Sequence, residues 1–99
     1  MKSYYILIVL LLLAACSSNT VRREDMIAEH PEWSADMVTL VRNGYVAKGM
    51  TMDQVKATWG RPDYFAPGTT DGEWGESWQY PTQTVVFNRQ GIVVRLDKR

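Results

Sequence analysis

Hydrophobic positions fall into three kinds of run along the chain. The first is continuous: Tyr4 to Leu13 carries only aliphatic and aromatic side chains, behind Met1-Lys2-Ser3. In the middle, apolar residues recur at helical spacing. Met37, Val38, Leu40 and Val41 make one face, and Met52, Val55 and Trp59 align at i, i+3, i+7. Both runs open with the same start signal. Ser34 is placed to cap the first, with Asp36 in its opening turn and Trp33 set to staple on Val38. Thr51 caps the second, where Gln54 completes a capping box, Asp53 favours the positive end of the dipole and Met50 staples on Val55. Asn43-Gly44 and Trp59-Gly60 supply the stops, and Pro62 prevents continuation. The pattern predicts helices over residues 35–43 and 52–59.

Toward the C-terminus the period changes to two. Trp78 and Tyr80, then Val85 and Phe87, then Ile92, Val94 and Leu96 each read as one face of a strand. Asn88-Arg89-Gln90-Gly91 predicts a type I turn ending in a left-handed glycine, which joins the last two strands as a hairpin with a G1 bulge. Pro81 limits pairing at the preceding connection, Tyr64-Phe65-Ala66 adds a short edge strand, and Gly68 to Gly75 reads as a mobile loop. Helices this short do not persist alone and need a flat partner. The expected fold class is therefore α+β: two short helices packed on one face of a three-stranded antiparallel sheet, four-stranded if the edge segment joins.

The leading apolar run ends at Leu13-Ala14-Ala15-Cys16, which resembles a bacterial lipobox. A positive start, an apolar stretch and a small-residue site have the layout of an export signal. A membrane-spanning helix is the competing reading, but Tyr4 to Ala15 covers twelve residues where a span needs about 20. The resemblance implies cleavage before Cys16, a diacylglyceryl group on its sulfur and an acyl chain on its amine, so the expected partner is a membrane held through that anchor. Two or more chains suffice for stable attachment. Ser17 follows, and lipoproteins without aspartate there usually go to the outer membrane, facing the periplasm.

Cleavage after residue 15 of 99 leaves 84, enough for one small domain. Lys2 departs with the leader, so 10 basic residues face 11 acidic ones, with no clustered basic face in the sequence to suggest nucleic acid. Cys16 is the only cysteine and His30 the only histidine, which excludes a disulfide or a Cys/His zinc site in the mature chain. No metal and no cofactor is expected beyond the covalent lipid on Cys16. Residues 16–32 read as a lipidated N-terminus and tether, with a root-mean-square reach of roughly 20 Å if disordered. Arg22-Arg23-Glu24-Asp25 can open a helix to Glu29, although Val21, Met26 and Ile27 make a thin stripe, and the charges read as a solvated cluster. The folded domain is placed at 33–99.

His30-Pro31-Glu32-Trp33, Asn43-Gly44, Lys48-Gly49-Met50-Thr51, Gln54-Val55, Trp59-Gly60-Arg61-Pro62-Asp63 and Trp78-Gln79-Tyr80 together resemble the SmpA/OmlA lipoprotein family. That family includes BamE, an accessory lipoprotein of the outer-membrane β-barrel assembly machine. The resemblance covers Glu29 to Leu96 and implies a BamE-like fold, an outer-membrane location and a place in outer-membrane protein assembly or envelope integrity. Its most specific part, Gly-Met-Thr followed by Val and Gly-x-Pro, is physically a capped helix with a forced stop, so it marks fold more than task.

No set of catalytic residues stands out. His30 sits beside Pro31 ahead of the domain and reads as a solvent-exposed or structural imidazole. Asp71, Glu73 and Glu76 read as loop charge without a cleft, and Gly72 and Gly75 do not make a phosphate-cradling pattern. What remains is surface. Three of the four tryptophans, Trp33, Trp59 and Trp78, have core positions open to them, whereas Trp74 falls in the predicted loop. Because aromatic residues and arginine anchor interfaces, Arg61, Tyr64, Phe65 and Trp74 are the candidate partner-binding residues. Against this stands a plainer reading in which Tyr64 and Phe65 cover the sheet. The leading expectation is a non-catalytic protein-interaction module that docks to an envelope protein or assembly complex. The alternative is a binder or inhibitor of a periplasmic enzyme, which rests on fold analogy.

Overall fold

The computed structural model describes residues 18–70 and 72–99. The expected signal segment 1–15, the expected lipid-attachment residue Cys16 and Asp71 lie outside them. Among the described residues three helices, α1 (Ser18–Glu29), α2 (Ala35–Arg42) and α3 (Met52–Trp59), precede four strands, β1 (Tyr64–Thr70), β2 (Glu73–Gln79), β3 (Gln83–Phe87) and β4 (Val93–Lys98). The strands form one antiparallel meander in the order β1-β2-β3-β4. This is an α+β arrangement, as the hydrophobic periods require.

The helix signals act as read. Ser34 accepts from the Met37 amide at 3.1 Å, and Thr51 and Gln54 exchange both bonds of a capping box at 3.2 and 2.9 Å. Met50 and Val55 are both fully buried, as a staple demands. At the far ends the Asn43 amide closes on Thr39 and the Gly60 amide on Lys56. Val41, Val55 and Ala57 from the helices meet Trp78, Val85, Phe87 and Val93 from the sheet in one core. Each large apolar side chain removed from water there contributes about 1.5–3 kcal/mol.

The described part of the expected tether, residues 18–32, is not wholly extended chain. α1 occupies Ser18–Glu29 and lies against α2 and α3, with Met26 and Ile27 packed on the core. The thin stripe suffices because Arg23 supplies what apolar area does not. Its guanidinium donates to the carbonyls of Thr58 at 2.8 Å, Arg42 at 3.1 Å and Ala57 at 3.4 Å, the open carbonyl ends of both other helices. Arg42 in turn donates to both oxygens of Glu24 at 2.6 and 2.8 Å, and this contact, above all, holds the Glu24 carboxyl below its usual range. What reads as a solvated charge cluster is the clamp that docks the helix. Gln54, Ala57 and Thr58 of α3 are all buried.

Two further expectations are corrected. Gly68 to Gly75 is not a loop: β1 and β2 pair continuously from Tyr64↔Gln79 to Thr70↔Glu73. Pro67 and Gly68 disguise the strand in the sequence, and they are tolerated because β1 is an edge. Gly75 is required at its place, since a Cβ there would lie 1.9 Å from the Phe87 carbonyl oxygen. On β4, the face assigned to Ile92, Val94 and Leu96 is broken by a bulge. Phe87 pairs with Val93 but Val86 with Arg95, so Val94 is the extra residue and Val93 takes the core position. The preceding turn is as read, with the Asn88 amide bonded to the Ile92 carbonyl at 2.9 Å and Gly91 at φ 79°. Pro81 sits in the tight β2–β3 turn closed by Tyr80 N–H to Gln83 C=O at 2.8 Å.

Candidate interaction surface on the outer hairpin

The outer sheet is built by alternation. Phe65, Trp78, Val85 and Leu96 pair in sequence across the four strands, so they form one row on the helix side. Helices cover the inner members of that row but not its outer end. Trp78 is 4% exposed, whereas Phe65, its direct partner, is 61% exposed. Tyr64 is on the opposite face by the same period and is 59% exposed. β1 therefore shows aromatic surface on both faces and pairs with β2 on one edge alone among the described strands. The β4 end of the sheet is treated differently: Gly49 and Met50 exchange backbone bonds with Val93, and Thr51 bridges Ile92.

Between α3 and the outer hairpin runs a groove of about 510 Å³ whose walls include Lys56, Arg61, Asp63, Phe65, Glu76 and Trp78. Lys56 Nζ stands over the Trp78 ring, 5.7 Å from its centroid. The Trp78 indole N–H is buried without a hydrogen-bond partner among the described residues. The corner where α3 ends is held by two side-chain donors: Trp59 Nε1 to the Gly44 carbonyl at 3.0 Å and the Tyr80 hydroxyl to the Gly60 carbonyl at 2.9 Å. Burial, with a smaller push from the charge of Asp63, holds the Tyr80 phenol above its ordinary range, so it remains a donor. These bonds fix the path of residues 60–63 into β1.

Of the four candidate residues, the groove brings Arg61 and Phe65 together. Tyr64 faces away. Trp74, 52% exposed, lines a separate cleft of about 240 Å³ with Val86, Val94 and Arg95. Phe65 and Tyr64 do not cover the sheet; they extend beyond its covered part. Sequence reading missed Lys56, and it read Glu76 as loop charge without a cleft, whereas Glu76 lies on β2 and lines this groove. The signal for Lys56 was its position four residues after Met52, on the same helical face.

The residues weighed for chemistry are dispersed. Glu76 lines the groove and Glu73 the separate cleft. His30 stacks flat on Trp33, with centroids 4.5 Å apart, and its two ring nitrogens face carboxylates, Glu32 at 2.7 Å and Asp53 at 3.8 Å. Glu32 is held below the usual carboxylate range first by a backbone amide and then by His30. This cluster ties the end of α1 to the opening turn of α3. Compared with family models, curated proteins and solved structures, the chain matches none of them.

Proposed function

We propose that this chain is a lipid-anchored interaction module of the SmpA/OmlA kind, non-catalytic, that binds an envelope protein or an outer-membrane assembly complex from the periplasmic face of the outer membrane. The observation that supports it best is the outer hairpin, where Tyr64, Phe65 and Trp74 are each more than half exposed on an edge that nothing among the described residues covers. Aromatic side chains held rigidly by a sheet are strong interface anchors, since little side-chain entropy is lost when they are covered. Attachment falls to acyl chains on Cys16 in this reading. No helix among the described residues is long and apolar enough to cross a membrane.

Photo-crosslinking in intact cells tests the surface. A crosslinker at Phe65 or Trp74 captures one defined envelope protein, while one at Tyr45, exposed elsewhere on the domain, does not. Equal capture from all three positions, or none, rejects the surface. Cys16→Ala removes the acylation site and releases the protein from the outer-membrane fraction; a variant that still sediments with that membrane rejects the anchor.

A further inference from the structure

We infer that α1 is a releasable strap, latched at Arg23 and hinged at His30-Pro31, which opens while the rest of the domain stays folded and lengthens the domain's reach from its anchor. The first ground is how little of α1 is buried. Residues 22–29 are all half-buried or exposed, and Met26 and Ile27 are the two of them that pack on the core. α3, though shorter, buries Gln54, Val55, Ala57 and Thr58. An element with few buried apolar contacts opens at a lower free energy than the core beneath it.

What holds α1 is largely polar and lies toward its amino end. Arg23 reaches the carbonyls of Arg42, Ala57 and Thr58, and Glu24 meets Arg42 in an ion pair open to solvent on both sides. Ala57 and Thr58 border a cavity of about 250 Å³ beside Arg23, so water can take the guanidinium's place on their carbonyls when the latch opens. The other end is fixed differently. The His30 ring stacks on Trp33, itself packed on the core, and its Nε2 stands 3.8 Å from Asp53 of α3. Pro31 keeps α1 and α2 from joining into one helix. Residues 30–33 therefore stay with the body when Arg23 lets go, and the swing is confined to the turn after Glu29.

Chain length turns that swing into distance, a step that rests on the acylation of Cys16 proposed above. Ser17 alone separates Cys16 from α1, so the docked strap starts within about 7 Å of the anchor residue. Released, the body hangs from His30, fourteen residues beyond Cys16. That segment spans roughly 20 Å, whether it keeps its helix or relaxes to coil. Docked, the domain works against the headgroup layer; released, it carries the outer hairpin to a partner farther out by about the same distance.

The full acylated chain in phosphatidylcholine vesicles is followed by hydrogen exchange. Amides of residues 22–29 exchange at least about ten-fold faster than those of the β2–β3 pairing, as a sub-global opening requires. Arg23→Ala speeds α1 by at least about ten-fold more and Glu24→Ala by less, with β2 and β3 unchanged in both. Should Arg23→Ala unfold the chain, Glu24→Ala, at an exposed pair, decides in its place. A donor dye on Tyr45→Cys, beside Gly44, where a Cβ would lie 4.0 Å from the Arg23 guanidinium, reports distance to an acceptor on the headgroups. Energy transfer is strong with the latch intact and falls in each release variant. Residues 22–29 exchanging as slowly as β2 and β3 in the unsubstituted chain overturn the strap, and so does transfer that holds constant while α1 exchange rises. Two reactive thiols where one is expected mean that Cys16 is bare: that rejects the anchor and the reach built on it, while the exchange rates decide the strap by themselves.

Discussion

Trp74 and Trp78 sit four residues apart on the same strand, yet one is half exposed and the other buried. Residue type and local conformation are the same for both. The difference lies in what stands opposite: Trp78 meets Phe87 at 4.6 Å between ring centroids and Lys56 from α3, while Trp74 extends past the helical layer into a shallow cleft. One strand thus serves two regions, a covered half that holds the fold together and an uncovered half free to contact something else. In a small domain, covering the sheet only in part leaves recognition surface without a separate element to carry it.

The comparison breaks most readily at Trp78. Trp78→Ala in the covered half destabilises by about 3–5 kcal/mol, lowering Tm by at least about 12 °C in a domain of this size. Trp74→Ala stays within about 1 kcal/mol and abolishes partner capture. Equal shifts in the two melting curves would erase the distinction. At the boundary between the halves, Gly75→Ala drives a Cβ into the Phe87 carbonyl. The strands must part, at about 1–3 kcal/mol, and hydrogen exchange accelerates at the β2–β3 pairing; an unchanged exchange pattern would mean the backbones have slack there.

On the helical side, Arg23→Ala removes three charge-assisted bonds to carbonyls. The expected loss is about 1.5–3 kcal/mol, read as faster exchange across α1 with the sheet unaffected. Uniform acceleration would show that α1 is part of a single cooperative unit. The smallest effect concerns Glu24. Its folded value lies below the ordinary 4.5, so its pairing with Arg42 is fully present at neutral pH and fades as the pH falls from 4.5 through that lowered value. Glu24→Gln should flatten this acid limb in a pH series of α1 protection, and an identical limb in the variant would place the titration elsewhere.

Much of the candidate surface was legible in the chain. Arg61 and Phe65 do border one groove, because the Gly60-Arg61-Pro62 stop returns the chain directly from α3 into β1. The four candidates do not converge as one surface, since strand alternation sends Tyr64 away from Phe65 and Trp74 lines a separate cleft. A cavity of about 250 Å³ that gathers Arg22, Arg23, Lys56 and Arg61 was hidden for a different reason. Arg22 and Arg61 are 39 positions apart, and only docking of α1 brings them together.

What the sequence determined by itself is local: where α2 and α3 start and stop, and the turn at residues 88–91. Those features depend on groups a few residues apart, such as the Thr51 and Gln54 caps and the Asn88 amide, and their hydrogen bonds need no partner from far along the chain. Tertiary structure decided the rest. A helix with a thin apolar stripe docks because distant carbonyl ends accept its arginine, and a proline- and glycine-bearing segment becomes a strand because β2 offers it a partner. Val93 displaces Val94 from the core because Phe87 needs a neighbour. In each case the deciding group lies far along the chain, where pattern and propensity carry no information about it.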